Sequence, residues 1–225
     1  MSVELDHVFI CTGRSAPAAD SLLRFGLSEG APNRHPGQGT ANRRFFFDNA
    51  FLELLWVDDP AEAQSENVAR TGLWERWSQC DGGASPFGVG LRIDSESTGE
   101  IPFASWEYRP PYLPAPLAIQ MATHSHVSTG PLLFAITFGR RADSGPPERH
   151  RPLEHAAGVR AVTRLRITVP NLDPTIAAEW STVNQRCPAV EVIEGGEHLM
   201  EIGFDGEQHV QSHDCRPELP LVLRW

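Results

Sequence analysis

Two side chains invite a chemical reading first. His7 interrupts the apolar run Leu5-Asp6-His7-Val8-Phe9-Ile10, and Glu53 stands alone in Phe51-Leu52-Glu53-Leu54-Leu55. An imidazole and a carboxylate in strand-like surroundings can work as acid and base, or as ligands of a divalent ion. A second polar set lies near the far end. Arg164 and Arg166 alternate through Val162-Thr163-Arg164-Leu165-Arg166-Ile167, and Glu201 sits between apolar residues in Leu199-Met200-Glu201-Ile202. A planar arginine fork is suited to a ligand carboxylate. Between the two sets, Arg34–Asn42 carries Gly37 and Gly39 and reads as a tight polar loop, offering His35 and Asn42 to a ligand or to the loop's own hydrogen bonds.

The elements that must position these groups echo one another. A strand over 3–11, a helix over 16–25 capped by Ser15 and stopped by Gly26, and a hairpin of 43–48 with 51–57 form a β-α-β-β unit. A strand over 161–169, a helix opened by Asp173-Pro174 and strands over 189–193 and 199–204 repeat the pattern. Strand parity places His7 and Phe9 on one face, and Arg164 and Arg166 on the face away from the last helix. Superposing the units sets His7 opposite Arg164 and Glu53 opposite Glu201, so that four polar groups share one cup. Arg164 with Glu201 can alternatively form an internal salt bridge. The predicted organisation is a first module at 1–58, a helical linker at 59–84 reaching about Cys80, a β-rich middle module at 85–140 and a last module at 161–225. The middle unit holds four strands with no evident helix between the first two, and pairing of this unit with the first is the alternative.

The phrases Leu5-Asp6-His7-Val8, His35–Asn42 and Phe51-Leu52-Glu53-Leu54 resemble the glyoxalase-like domain family of the vicinal-oxygen-chelate superfamily. The resemblance is best over about 3–60 and weaker to about Leu172. It implies an α+β fold of paired βαβββ modules curled into an open barrel around a pocket. It also implies a divalent metal (Zn, Mn, Ni or Fe) acting on a small oxygenated substrate, by lyase, isomerase or ring-cleavage chemistry. In the family's metalloenzymes the first strand gives a His or Gln and the last strand of a module a Glu, and His7 and Glu53 stand at those places. His7, Glu53 and Glu201 are the expected metal ligands, with Glu53 and His7 also catalytic. Arg164, Arg166, His35 and Asn42 are the expected substrate contacts. Arg164 departs from the pattern, because a guanidinium cannot ligate a metal.

Composition removes other classes. The net charge of −10 argues against nucleic acid. All 19 basic residues are arginine, which excludes a Schiff-base lysine and a P-loop lysine, and no nucleotide cofactor is expected. No apolar run approaches the ~18 residues that span a membrane. The scattered Cys11, Cys80, Cys187 and Cys215 read as free thiols in a cytoplasmic protein. The expected partner is a small, anionic ligand, with a homodimer as the open assembly state. Two functions stay open: an enzyme of the glyoxalase or dioxygenase kind, or a metal-free protein that binds or sequesters a small molecule.

Overall fold

The computed structural model describes residues 3–93, 100–144 and 151–225. The first module comprises β1 (Val3–Cys11), α1 (Ala19–Phe25), β2 (Asn33–His35), β3 (Thr40–Phe46) and β4 (Phe51–Val57). Gly26 ends α1 at φ 107°, and its N–H returns to the carbonyls of Leu22 and Leu23. The helix starts later than predicted. Ser15 and Ala16 both have positive φ, and no side chain caps the start. The linker is three short helices, α2 (Pro60–Ala63), α3 (Glu66–Ala69) and α4 (Leu73–Ser78), rather than one. Asp59 caps α2 as expected, but Gly72 at φ 69° turns the chain left-handed before α4.

The middle module supplies β5 (Phe87–Ile93), β6 (Ser105–Tyr108), β7 (Ile119–Ala122) and β8 (Leu132–Ile136). With the first module it forms one curled eight-stranded sheet, ordered β2-β3-β4-β1-β5-β8-β7-β6. That order is symmetric about the β1–β5 seam. β1 lies parallel to β4, β5 lies parallel to β8, and β1 and β5 run antiparallel with Val8 opposite Val89. The dyad through this pair relates His7 to Gly88 and Phe9 to Gly90. Through the flanking strands it also relates Phe51 to Leu132 and Glu53 to Phe134. The middle unit is therefore the structural partner of the first, with its residue types changed.

The last module contains β9 (Val162–Val169), α5 (Pro174–Arg186), β10 (Val190–Glu194), β11 (Leu199–Phe204), β12 (Ser212–Asp214) and β13 (Leu221–Arg224). Asp173 accepts hydrogen bonds from the N–H groups of Thr175 and Ile176, and Ile176, Trp180 and Val183 bury one helical face. These strands form a separate sheet, ordered β10-β9-β11-β13-β12. Its topology overturns the proposed superposition. In the first module the strand parallel to the opening strand β1 is the last, β4, whereas in the last module the strand parallel to the opening strand β9 is β10, which directly follows the helix. β11, which carries Glu201, lies antiparallel on the other side of β9.

Alternate residues of the large sheet divide its roles. Val8, Ile10, Leu52, Leu54, Val89 and Leu91 face away from the concave side, and belong to one apolar cluster with Leu165, Ile167, Val169 and Trp180. The last module thus packs into the core behind the sheet. Phe47 and Phe204 rings meet at 4.8 Å there, and the Asn49 side chain bonds both N–H and C=O of Val162. Among the described residues no helix is long and apolar enough to cross a membrane.

Candidate functional site

The concave face of the large sheet holds a cavity of about 310 Å³. Its polar end is built on β1, β3 and β4, where register places His7 beside Phe51 and Arg44 opposite Glu53. His7 and Glu53 are 7% and 5% exposed, and both line the cavity. His7 Nε2 lies 3.7 Å from Glu53 Oε2. The imidazole ring stacks on Phe51 at 4.3 Å and meets the edge of Phe134 at 5.1 Å, so its plane is fixed.

A β-bulge adds a third member. Consecutive strand residues point to opposite faces, but the β1–β5 register shifts between Leu5 and His7 and leaves Asp6 unpaired. The Asp6 carboxylate consequently reaches His7 Nδ1 at 2.8 Å and Arg92 Nη1 at 2.9 Å. Burial pushes the Asp6 carboxyl upward, yet the hydrogen bond and charge of His7, together with Arg92, hold it below its usual range. An ionised carboxylate only accepts, so Nδ1 carries the proton and Nε2 is the atom presented to Glu53.

Glu53 is held from its other side. Asn42 Oδ1 accepts the Asn33 N–H at 3.0 Å, which turns the Asn42 amide nitrogen toward Glu53 Oε1, to which it donates. The loop around it forms a further chain. Tyr108 and Tyr112 donate to Gln38 Oε1 at 3.2 and 3.4 Å, Gln38 Nε2 donates to Thr40 Oγ1, and that hydroxyl lies 2.9 Å from His35 Nδ1. Burial raises both tyrosine pKa values and lowers that of His35, so the tyrosines remain donors and the imidazole remains neutral. Gly37, at φ 78°, lies against Pro111. A Cβ there would fall 2.5 Å from its ring, so only glycine lets the two loops meet at the cavity mouth. The opposite wall is apolar, formed by Phe9, Leu55, Leu73, Met121, Leu132 and Phe134. Cys11 on β1 offers no nucleophile, since burial pushes its thiol up to about 12.

The donor set does not fit a resident metal. His7 and Glu53 are close enough to share an ion, but the dyad-related positions that would complete the set carry Gly88 and Phe134. The Phe9 ring occupies the space a side chain on Gly88 would need, 2.0 Å from its ideal Cβ. Two protein ligands fall short of the three that a catalytic zinc site keeps. Among the described residues no three of His, Cys, Asp and Glu gather where they could hold an ion.

Of the residues expected at the site, His7, Glu53, His35 and Asn42 line this cavity, and Arg164, Arg166 and Glu201 do not. The latter three belong to the separate sheet and are satisfied locally. Arg164 pairs with Glu207, Arg166 with Glu191 and Glu201 with Arg224. Even the internal pair of Arg164 with Glu201 is replaced, because β9–β11 register sets Glu201 opposite Arg166 and Gly203 opposite Arg164. Sequence reasoning missed Asp6, Gln38, Arg44, Tyr108 and Tyr112. Arg44 carried a usable signal: it lies two residues from Asn42 on a strand, hence on the same face.

The model of the glyoxalase-like domain family matches residues 5–95. A hypothetical protein from Staphylococcus aureus, known from its crystal structure, superposes with a TM-score of 0.57 at 10% identity, covering 100% of this chain and 98% of that one. A xylose isomerase-like TIM barrel/4-hydroxyphenylpyruvate dioxygenase fusion protein gives a TM-score of 0.48 at 10% identity, over 89% of this chain and 36% of the fusion. No curated protein matches the sequence. Residues 5–95 are thus similar to a glyoxalase-like domain, and they lie within the curled eight-stranded sheet of an α+β fold.

Proposed function

We propose that this protein is a metal-independent member of the vicinal-oxygen-chelate superfamily, which moves a proton on a small oxygenated molecule bound in the cavity. The observation that carries the reading is the Asp6–His7–Glu53 line, buried at one end of a cavity whose remaining chelate positions are Gly88 and Phe134. Glu53 is the base. Its Oε2 takes the proton from a carbon next to a carbonyl; the C–H electron pair becomes a C=C bond, and the carbonyl pair moves to oxygen as an enolate. His7 Nε2 can accept that proton from Glu53, and the resulting imidazolium is balanced by Asp6 on its other nitrogen. The 3.7 Å gap is the loose form of a contact that ligand binding tightens. Returning the proton to the same carbon gives exchange with solvent, and returning it to the opposite face of that carbon gives epimerisation.

The test is solvent-deuterium incorporation into a panel of alkyl and aryl ketones, including 4-oxo-4-phenylbutanoate, followed by NMR. Exchange by the wild type should fall by about 10²–10⁴ in Glu53→Gln, the usual share of a general base. A wild type that binds these ketones without exchanging them would leave sequestration as the function. The predominantly apolar opposite wall suits that second reading.

A further inference from the structure

Arg44 is the one arginine that lines the cavity among the described residues. It sits on β3 directly opposite Glu53, on the face that also carries Asn42. Its neighbour Arg43, on the other face, is saturated by Glu29 and Asp20, and Arg92 is saturated by Glu4 and Asp6. Arg44 has no such partner: among the described residues it makes no ion pair. Nε and Nη2 both donate to the Ala31 carbonyl, at 3.1 and 2.8 Å, and the guanidinium lies 5.1 Å from the Phe46 ring centroid. Those contacts fix the group in place while leaving its charge uncompensated by any carboxylate in contact. Burial lowers its pKa, partly offset by nearby Glu53, so the site is one that an anion would relieve.

We propose that Arg44 is the anion receptor of this cavity, and that the ligand is a monocarboxylate with an apolar body and a carbonyl placed beside Glu53. The proposal rests on the cavity being the ligand site, as argued above. A carboxylate matches the planar fork of a guanidinium held from one edge. A dianionic phosphate fits less well, because Glu53 is the neighbouring residue across the strand pair and repels a second charge. The apolar body is set by Phe9, Leu73, Met121 and Phe134 on the facing wall. The assignment moves anion binding from the last module, where Arg164 and Arg166 are already paired, to the first.

The experiment is calorimetric titration with 4-oxo-4-phenylbutanoate and with its neutral amide. The wild type should bind the acid at least ~30-fold more tightly than the amide, equivalent to about 2 kcal/mol. Arg44→Gln should bring that ratio close to one while leaving the amide unaffected. Arg44→Lys should keep part of the preference, since it restores the charge without the fork. The wild-type ratio stands even if Arg44→Gln fails to fold, which thermal melting reports. A wild type that takes acid and amide alike, or neither at millimolar concentration, overturns the assignment, as does a folded Arg44→Gln that retains the ratio. Intact charge preference without deuterium exchange would overturn the proton-transfer function and leave the receptor standing.

Discussion

Replacing Asp6 by Asn isolates the group that orients the histidine. The wild-type carboxylate is buried and accepts two charge-assisted hydrogen bonds, from His7 Nδ1 at 2.8 Å and Arg92 Nη1 at 2.9 Å. Each such bond contributes roughly 1.5–3 kcal/mol. The variant does not orphan Arg92, which keeps Glu4 at 2.8 Å and the Asn49 carbonyl at 3.0 Å. The loss should therefore be about 2–4 kcal/mol, below the full cost of stripping a buried charge of all partners. For a chain of this size that lowers Tm by roughly 5–15 °C. The pH dependence supplies an internal control. The folded pKa of Asp6 lies below its unfolded value of 3.8, so its stabilisation is fully present above that value and disappears as pH falls through the folded pKa. Urea denaturation of both proteins at pH 7, 5 and 3 should give a constant gap at the first two values and a smaller one at the third. Equal stabilities at pH 7, or a gap that widens in acid, would refute the reasoning.

The pseudo-twofold axis makes a constructive prediction: Phe134→Glu places a carboxylate at the position related to Glu53. The variant should be less stable than wild type without metal, and should regain several degrees in Tm on adding Zn, Mn or Ni; no gain would mean that the dyad does not superpose the two positions. Arg164→Ala should leave ligand affinity unchanged within twofold and cost less than about 1 kcal/mol, because its partner Glu207 is about a third exposed and so is Arg164 itself. Titration calorimetry and melting curves on that variant check both statements.

Much of the polar end was legible in the sequence because a strand converts spacing into facing. His7 and Phe9 share a side, the two glycines of the 34–42 stretch announce the rim, and that stretch offers His35 and Asn42, although Asn42 belongs to β3 and not to the loop. Asp6 was not legible, since parity assigns it to the face opposite His7 and only the bulge between Leu5 and His7 brings them together. The partner module was hidden for a different reason. Its symmetry lives in strand order and register, while the residues at the related positions had become Gly88 and Phe134. The more conspicuous echo, Glu201 between apolar residues and arginines alternating on a strand, was local pairing within one sheet: Glu201 with Arg224, Arg164 with Glu207 and Arg166 with Glu191. Charged residues that repeat a pattern point to a site only when no neighbouring strand satisfies them.

On the proposed function the cavity works with two protein donors and no resident ion. Elemental analysis of protein purified without a chelating column, paired with melting curves in Zn, Mn, Ni and Fe(II), tests it most directly. Metal-independent proton transfer requires well below one equivalent of any divalent metal and a Tm unchanged by all four ions. A stoichiometric ion that is lost on Glu53→Gln or His7→Ala, with a matching fall in Tm, would contradict it.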